Sequence, residues 1–179
     1  MAANVSVNRL TGVGAATKNN ITGANTRANA EDVHSISGTS NPVRVPSIGT
    51  NYSYWVSTRL EALTTPAGTI NNLKWWSSGS VGSGVGIIGM NATAYVQASG
   101  TAGVTGLELN VTNHTGLTAT PLNVFTNFTS GAPKSLSGSL SNPSTNLFGD
   151  YFVYQFTVAS TATPGATAQP TFTWQYDET

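Results

Sequence analysis

The chain has 179 residues, enough for one domain with a sizeable core and no cross-links. It contains no Cys, which excludes a disulfide framework and thiolate chemistry. Only 8% of its residues are charged, the formal net charge is zero and the seven basic residues are scattered, so no nucleic-acid partner is expected.

The low charge of the chain favours association between copies of it. Near-zero net charge reduces the repulsion between copies and favours association, as in a subunit of an assembly. No stretch approaches the roughly 18 apolar residues of a membrane span, so no membrane partner is predicted. The start Met1-Ala2-Ala3 lacks the charged-then-apolar pattern of a secretory signal and is typical of a protein made in the cytoplasm.

Residues 1–50 are predicted to form an extended N-terminal arm. The segment is rich in Asn, Thr, Gly and Ala, has no aromatic residue, and carries its apolar residues mostly singly. Such a run cannot offset the ordering entropy of its backbone by local burial. We expect it to be disordered, or to order as a strand on a neighbouring subunit. Two prolines, Pro42 and Pro46, hold the end of the arm extended.

Residues 53–76 hold much of the aromatic content of the chain. From Tyr52 onward, apolar and polar residues begin to alternate with a period of two. Tyr54 to Ala62 has apolar residues at most alternate positions, which is typical of a half-buried strand. Thr64–Gly68 has the chemistry of a turn, and Ile70–Trp76 predicts a second strand. The two strands are expected to form a scaffold hairpin, with the segments 151–158 and 172–176 as its packing partners.

The Gly/Ser-rich stretch Ser77–Gly89 is predicted to be a long loop that ends in a short strand at Ile87-Ile88. Its glycine spacing superficially resembles a phosphate-binding loop. A nucleotide site requires a helix after that loop, whereas the following run Asn91–Gln97 is of β type. A flexible or ligand-facing loop is the favoured interpretation.

The remaining sequence alternates strand and turn signals, and no segment has a helical period of useful length. Residues 51–179 therefore predict an all-β domain, a single β-sandwich of about eight strands. Its topology can be jelly-roll or immunoglobulin-like. Tyr151–Val158 is apolar on both faces, as expected of a central strand covered on each side. Further strands are predicted at Ala92–Ala98, Leu107–Thr112, Leu122–Phe128, Lys134–Leu140, Asp150–Ala159 and Thr171–Tyr176.

No catalytic, cofactor-binding or metal-binding residues are predicted. The two histidines, His34 and His114, lack the short spacing of metal ligands and are expected on the surface. The seven acidic residues are dispersed without catalytic spacing, and no serine elbow motif has a partner histidine. The chain is therefore predicted not to be an enzyme.

Adjacent side chains on a strand point to opposite faces, so one of Trp75 and Trp76 is expected in the core and the other outward. An outward Trp either contacts another subunit, binds a carbohydrate, or is covered by a loop of the same chain. The candidate subunit-contact residues are Trp55, Trp75, Trp76, Val43, Arg44 and Val45.

Two pieces of the chain resemble a known family. Tyr54-Trp-Val-Ser-Thr-Arg-Leu60, the Pro-Gly turn and Ile70-Asn-Asn-Leu-Lys-Trp-Trp76 resemble the core of small virion structural proteins of tailed bacteriophages. The ending Phe172-Thr-Trp-Gln-Tyr-Asp-Glu-Thr179 is similar to the end of the same proteins. The matching residues occupy positions expected in the core and at strand edges.

The resemblance implies a capsid decoration (cement) protein, or a related head or tail auxiliary protein, on the capsid surface of a virion. It implies the major capsid protein and copies of the chain itself as partners, often in a homotrimer, and it carries over no catalytic residue. The alternative is a receptor- or carbohydrate-binding β-sandwich module of a fibre or surface appendage, with a glycan as its partner.

Overall fold

The computed structural model describes residues 2–35, 40–165 and 168–179. The fold is all-β, as predicted, and every strand pairing is antiparallel. Its elements are β1 (Val5–Thr11), β2 (Thr17–Asn20), β3 (Thr50–Tyr52), β4 (Val56–Ala62), β5 (Thr69–Ser78), β6 (Val85–Ala92), β7 (Gly100–Thr101), β8 (Thr105–Gly106), β9 (Leu122–Asn123), α1 (Val124–Asn127), β10 (Lys134–Leu136), β11 (Leu140–Ser141), β12 (Leu147–Ala159) and β13 (Thr171–Glu178).

The strands form two principal sheets. The larger sheet has the order β2-β1-β4-β12-β6-β9, and β3 pairs with the end of β12. In the smaller sheet β5 pairs along one edge with β10 and then β11, and along its other edge with β13. A third, minor pairing joins β7 and β8.

The main core lies between the two principal sheets. Trp75 of β5 stacks on Phe152 of β12, with ring centroids 3.5 Å apart and an interplanar angle of 13°. Phe128, just after α1, meets both rings edge-on. Leu60 of β4 and Leu73 of β5 are buried in the same cluster. The apolar faces of β4, β5, β6 and β12 therefore hold the sheets together.

A second core covers the opposite face of the larger sheet. The long segment between β6 and β9 folds over that face and packs against Tyr54, Trp55 and Val153. Gln155 of β12 is fully buried there and accepts a hydrogen bond from the amide of Leu109 at 2.7 Å. Its amide nitrogen donates to the carbonyls of Ser53 and Leu107. Strand β12 is thus central and covered on both faces, which confirms the prediction for Tyr151–Val158.

The predicted hairpin between residues 53 and 76 is wrong, because its two strands belong to different sheets. Strand β4 has both edges occupied, by β1 and by β12, so β5 cannot pair with it. The turn Thr64–Gly68 instead carries the chain from the larger sheet to the smaller one. The predicted partners are confirmed, since β12 pairs with β4 and β13 with β5.

The N-terminal segment is not a separate arm over most of its described length. Strand β1 pairs with β4 from Val5 opposite Ala62 to Leu10 opposite Ser57, and β2 extends the same sheet. The ladder and the burial of Leu10 and Arg9 offset the ordering entropy that local burial alone cannot. Residues 36–39 of the predicted arm lie outside the described residues.

Four predicted strands differ in the structure. The predicted strand Lys134–Leu140 is divided into β10 and β11. Residues 93–98 and 107–112 are irregular and cover the second core rather than joining a sheet. The run Leu122–Phe128 begins as β9 and becomes the short helix α1, because the Asn123 side chain accepts a hydrogen bond from the amide of Phe125 at 2.9 Å and caps it. In the described part of the chain, no helix is long and apolar enough to cross a membrane.

Candidate functional site

A large cleft opens between the two principal sheets, with a volume of about 1480 Å³. We call it the inter-sheet cleft. Its floor is the inner face of the larger sheet, including Thr58 of β4 and Phe156 of β12, and Phe172 and Trp174 of β13 form the facing wall. The segments 21–29 and 42–45 line its side. Phe156, Phe172 and Trp174 are half-buried, so aromatic surface remains open to an occupant.

The charge lining the cleft has one sign. Arg27 and Arg44 line it, and no Asp or Glu does so among the residues that the structure describes. The Arg44 side chain donates through Nε to the carbonyl of Gly103 at 2.9 Å and stays exposed. An anionic group in the cleft therefore meets two guanidinium groups and no lining carboxylate.

Arg9 of β1 adds a buried cation directly behind the wall of the cleft. Its side chain is fully buried, and Nη1 donates to the carbonyl of Arg27 at 2.6 Å and to Thr26 Oγ1 at 3.2 Å. Its Nε and Nη2 atoms have no hydrogen-bond partner among the described residues. Burial lowers the pKa of Arg9, while Tyr154 and Asp32 act in the opposite direction.

The phenol of Tyr154 does not neutralise Arg9. Burial raises the pKa of Tyr154 to about 12, so its hydroxyl is uncharged near neutral pH. Arg9 makes no ion pair within the described ranges, where Lys18 and Glu61 form a pair at the surface. A guanidinium stays protonated in proteins, so this part of the fold holds an incompletely compensated positive charge.

Strand β13 is the edge of the smaller sheet beside the cleft. It pairs with β5 along one side, and its other side has no strand partner among residues 2–35, 40–165 and 168–179. Glu178 at its end accepts hydrogen bonds from the amides of Ala3 and Ala67, which ties that end to the start of β1. Hydrogen bonds thus tie β13 to the rest of the fold near Glu178. The cleft lies farther along the strand, beside Phe172 and Trp174.

The structure separates the six predicted contact residues into three groups. Val43, Arg44, Val45 and Trp75 line the inter-sheet cleft. Trp55 lies in the second core, where its Nε1 donates to the carbonyl of Val96 at 2.9 Å. Trp55 and Trp75 are only 2% and 0% exposed, which excludes both as surface contacts of the folded chain. Trp76 alone of the three tryptophans reaches the surface.

Trp76 lies on the outer face of the smaller sheet. It stands opposite Thr173, and the next row on the same face places Lys74 between Ser135 and Gln175. We call Lys74, Trp76, Thr173 and Gln175 the Trp76 face. Trp76 is half-buried, and its neighbours offer an ammonium, a hydroxyl and an amide. The face therefore combines one large aromatic surface with hydrogen-bonding groups.

His114 is fully buried, so its predicted surface position is wrong. Its ring packs edge-on against Trp55 with centroids 5.4 Å apart, and neither ring nitrogen has a hydrogen-bond partner among the described residues. The backbone makes this burial possible, because the His114 amide donates to Asn110 and the His114 carbonyl accepts from Leu117. Burial lowers the pKa of His114.

We expect acid to destabilise the fold through His114. The unfolded chain takes up a proton on this residue below about pH 6.5, whereas the folded chain resists protonation to a lower pH. This contribution is complete above the unfolded pKa and is lost as the pH falls through the folded pKa. In His114→Phe, the loss of unfolding free energy between about pH 7 and about pH 5.5 should therefore be smaller than in the wild type.

Urea unfolding at the two pH values measures this difference. His34→Gln is the matched control, because the pKa of His34 is also lowered, by burial first and by Arg9 second, although His34 is half-exposed. The control should keep the pH dependence that His114 causes. An equal pH dependence in the wild type and His114→Phe contradicts the prediction.

Asp32, near His34 in the sequence, has a structural role. Asp32 accepts a hydrogen bond from the amide of Gly12 at 2.8 Å, and His34 Nδ1 lies 3.4 Å from Thr26 Oγ1. Within the described ranges, no three His, Asp or Glu side chains converge as a possible metal site.

Compared with protein-family models, curated proteins and solved structures, the chain has no significant match. Sequence reasoning missed Arg9 and Phe156 as site residues, since neither has a motif around it. The one available signal was β13, an aromatic strand with neither Pro nor Lys within it.

Proposed function

We propose that the chain is a non-enzymatic structural protein of a phage virion, which decorates or cements the capsid through subunit contacts. Its partners in this proposal are the major capsid protein and further copies of itself, arranged as a homotrimer on the capsid surface. The observation that carries the proposal is the Trp76 face, a flat strand surface with a half-buried Trp. Aromatic residues of this kind are enriched among the side chains that dominate protein interfaces.

The composition supports the same proposal. The surface carries few charges and no net charge, so copies packed on a shell repel one another weakly. Many copies on a lattice multiply weak contacts by avidity, so each contact needs only a small surface.

Trp76→Ala is expected to weaken assembly before it weakens folding. Truncating a central interface Trp costs about 2 kcal/mol, so shell binding should fall roughly thirty-fold. The thermal midpoint should change little, because the ring is only partly buried. Co-sedimentation with empty capsids and light scattering of the free chain measure binding and oligomer mass.

Ile48→Ala, which truncates an 85% exposed apolar side chain outside the Trp76 face, is the matched control and should bind shells nearly as the wild type does. A strictly monomeric chain that does not sediment with capsids contradicts the cement proposal. Equal binding by wild type and Trp76→Ala removes the Trp76 face as the contact.

A second candidate function is carbohydrate recognition by the same face. A Trp ring beside Lys74 and Gln175 offers an apolar surface for a sugar ring together with donors for its hydroxyls. A glycan array distinguishes the two functions. Binding of a glycan that Trp76→Ala abolishes, with no binding to shells, favours the receptor- or carbohydrate-binding module of a fibre or surface appendage.

A further inference from the structure

We infer that the inter-sheet cleft and the free edge of β13 form an acceptor site for an extended polypeptide segment that carries a carboxylate and belongs to a different protein. The site lies between the sheets, whereas the Trp76 face lies on the outer surface of the smaller sheet. The inference therefore stands independently of the proposed function.

The free edge of β13 selects a polypeptide as the occupant. Half of the backbone amide and carbonyl groups of an edge strand point away from its neighbour and form a template for another strand. β13 spans eight residues, or about 26 Å of extended chain, and has no interior Pro or Lys to block pairing. A strand added there extends the smaller sheet across the cleft, over the exposed floor of the larger sheet.

The walls of the cleft select apolar side chains at alternate positions of that strand. Phe156 on the floor and Phe172 and Trp174 on the facing wall are half-buried. Successive side chains of an added strand point to opposite faces, so every second side chain points toward this aromatic surface. Burial of these groups provides the apolar part of the binding energy.

The charges of the cleft select an anionic group on the same strand. Arg27 and Arg44 line it without an acidic residue among its described lining. Behind the wall, Arg9 holds a buried guanidinium, two nitrogens of which have no hydrogen-bond partner in the described part of the chain. It donates to the Thr26 hydroxyl and to the backbone carbonyl of Arg27, which ties it to the wall of the cleft. A carboxylate among these cations is attracted by all three.

A second copy of this chain does not supply that carboxylate. The chain has seven acidic residues, and the carboxylates of six of them already accept a hydrogen bond within their own fold, while Glu108 lies beside Tyr52. For example, Glu178 accepts from two backbone amides and Asp150 accepts from Asn91 at 2.9 Å. The occupant therefore comes from another protein.

The test uses the full chain and short labelled peptides. The probe is acetyl-Thr-Val-Thr-Glu-Thr-Val-Thr-Val-Thr-amide, in which Glu lies on the same face as the Val residues. It is compared with the same peptide carrying Lys in place of Glu and with a form N-methylated at alternate amides. Fluorescence anisotropy gives the affinity of each, and dodecanoate serves as an anionic lipid chain. We expect the Glu peptide to bind about tenfold more tightly than the Lys peptide, and N-methylation to abolish binding.

Arg44→Glu is expected to weaken binding of the Glu peptide about tenfold, because it reverses a charge that lines the cleft. Lys74→Glu makes the same kind of charge reversal on the outer face of the smaller sheet and should leave the affinity unchanged. Both residues lie at the surface or near it, and circular dichroism checks that both variants fold.

Four outcomes overturn the inference: no binding of the Glu peptide, equal binding of the Glu and Lys peptides, full binding after N-methylation, or an equal effect of Arg44→Glu and Lys74→Glu. Binding of dodecanoate alone assigns the cleft to a lipid-like anion instead. Displacement of the peptide by excess unlabelled chain assigns it to a second copy. Capsid co-sedimentation of the wild type tests the proposed function separately, since peptide binding needs no shell.

Discussion

Trp75→Ala is expected to lower the free energy of unfolding by about 3–5 kcal/mol. Trp75 is 0% exposed and is the largest fully buried side chain between the sheets. Its ring stacks on Phe152 and also contacts Phe128 and Phe172, which come from three different elements. Removing it opens a cavity that strands fixed by ladders on both edges cannot close.

Trp75→Phe provides the matched control and should cost only about 1 kcal/mol. The smaller ring keeps the stack on Phe152, and the change removes an indole N–H that has no partner among the described residues. Guanidinium unfolding followed by far-ultraviolet circular dichroism measures both variants without relying on Trp fluorescence. A loss below about 1 kcal/mol for Trp75→Ala contradicts the packing of the two sheets through this residue.

Gly138→Ala is expected to destabilise the fold by about 3 kcal/mol or more. Gly138 has φ of 108°, and a Cβ atom there would lie 2.5 Å from the Cα of Gly149. Gly149 itself has φ of 73° and forms the irregularity in the pairing of β12 with β4. The amide of Asp150 donates to the carbonyl of Ser137 at 2.8 Å, so backbone from the two sheets meets here directly.

Gly82→Ala controls for the general effect of adding a methyl group. A Cβ atom at Gly82 meets nothing within 4 Å, so its stability should change by no more than about 0.5 kcal/mol. Chemical denaturation of the two variants under one set of conditions gives the comparison. If Gly138→Ala is as stable as Gly82→Ala, the close backbone approach is not required for folding.

The sequence was sufficient to predict the fold class and the position of β12. The period-two pattern at Tyr54–Ala62 and the run Tyr151–Val158, which is apolar on both faces, reflect how each strand is buried, and burial is a local property of each strand. Which strand pairs with which is not local. The hairpin prediction failed because the Pro-Gly turn has the same chemistry whether its flanking strands pair or separate into two sheets.

The first strand was missed because its buried residues are largely polar. Ser6, Asn8, Arg9 and Thr11 are all buried, Leu10 is the one buried apolar residue of β1, and Val5 and Val7 are only partly buried. Asn8 donates to Ser6 and Glu61, which satisfies its amide across the β1–β4 ladder. Such compensation depends on residues about fifty positions away and leaves no local signal.

The candidate site also divides into features that are local to one strand and features that depend on the whole fold. The prediction that one of two adjacent tryptophans is buried and the other outward rests on strand geometry alone, and Trp75 and Trp76 obey it. The inter-sheet cleft depends on how the larger sheet, β13 and the segments 21–29 and 42–45 come together in the folded chain. Val43, Arg44 and Val45 were identified from an extended segment between prolines, and their place beside Phe156 is set by the folded chain.

The position of β12 between β4 and β6 also sets the order of events during synthesis. The β1–β4 ladder can form once residue 62 has emerged, but the pairings of β4 and β6 with β12 require residues 147–159. Until then the ribosome-bound chain presents two unpaired strand edges and the aromatic surface of β5 to solvent. Pairings of such long sequence separation form slowly, so the nascent chain depends on protection of these edges from other chains for most of its translation.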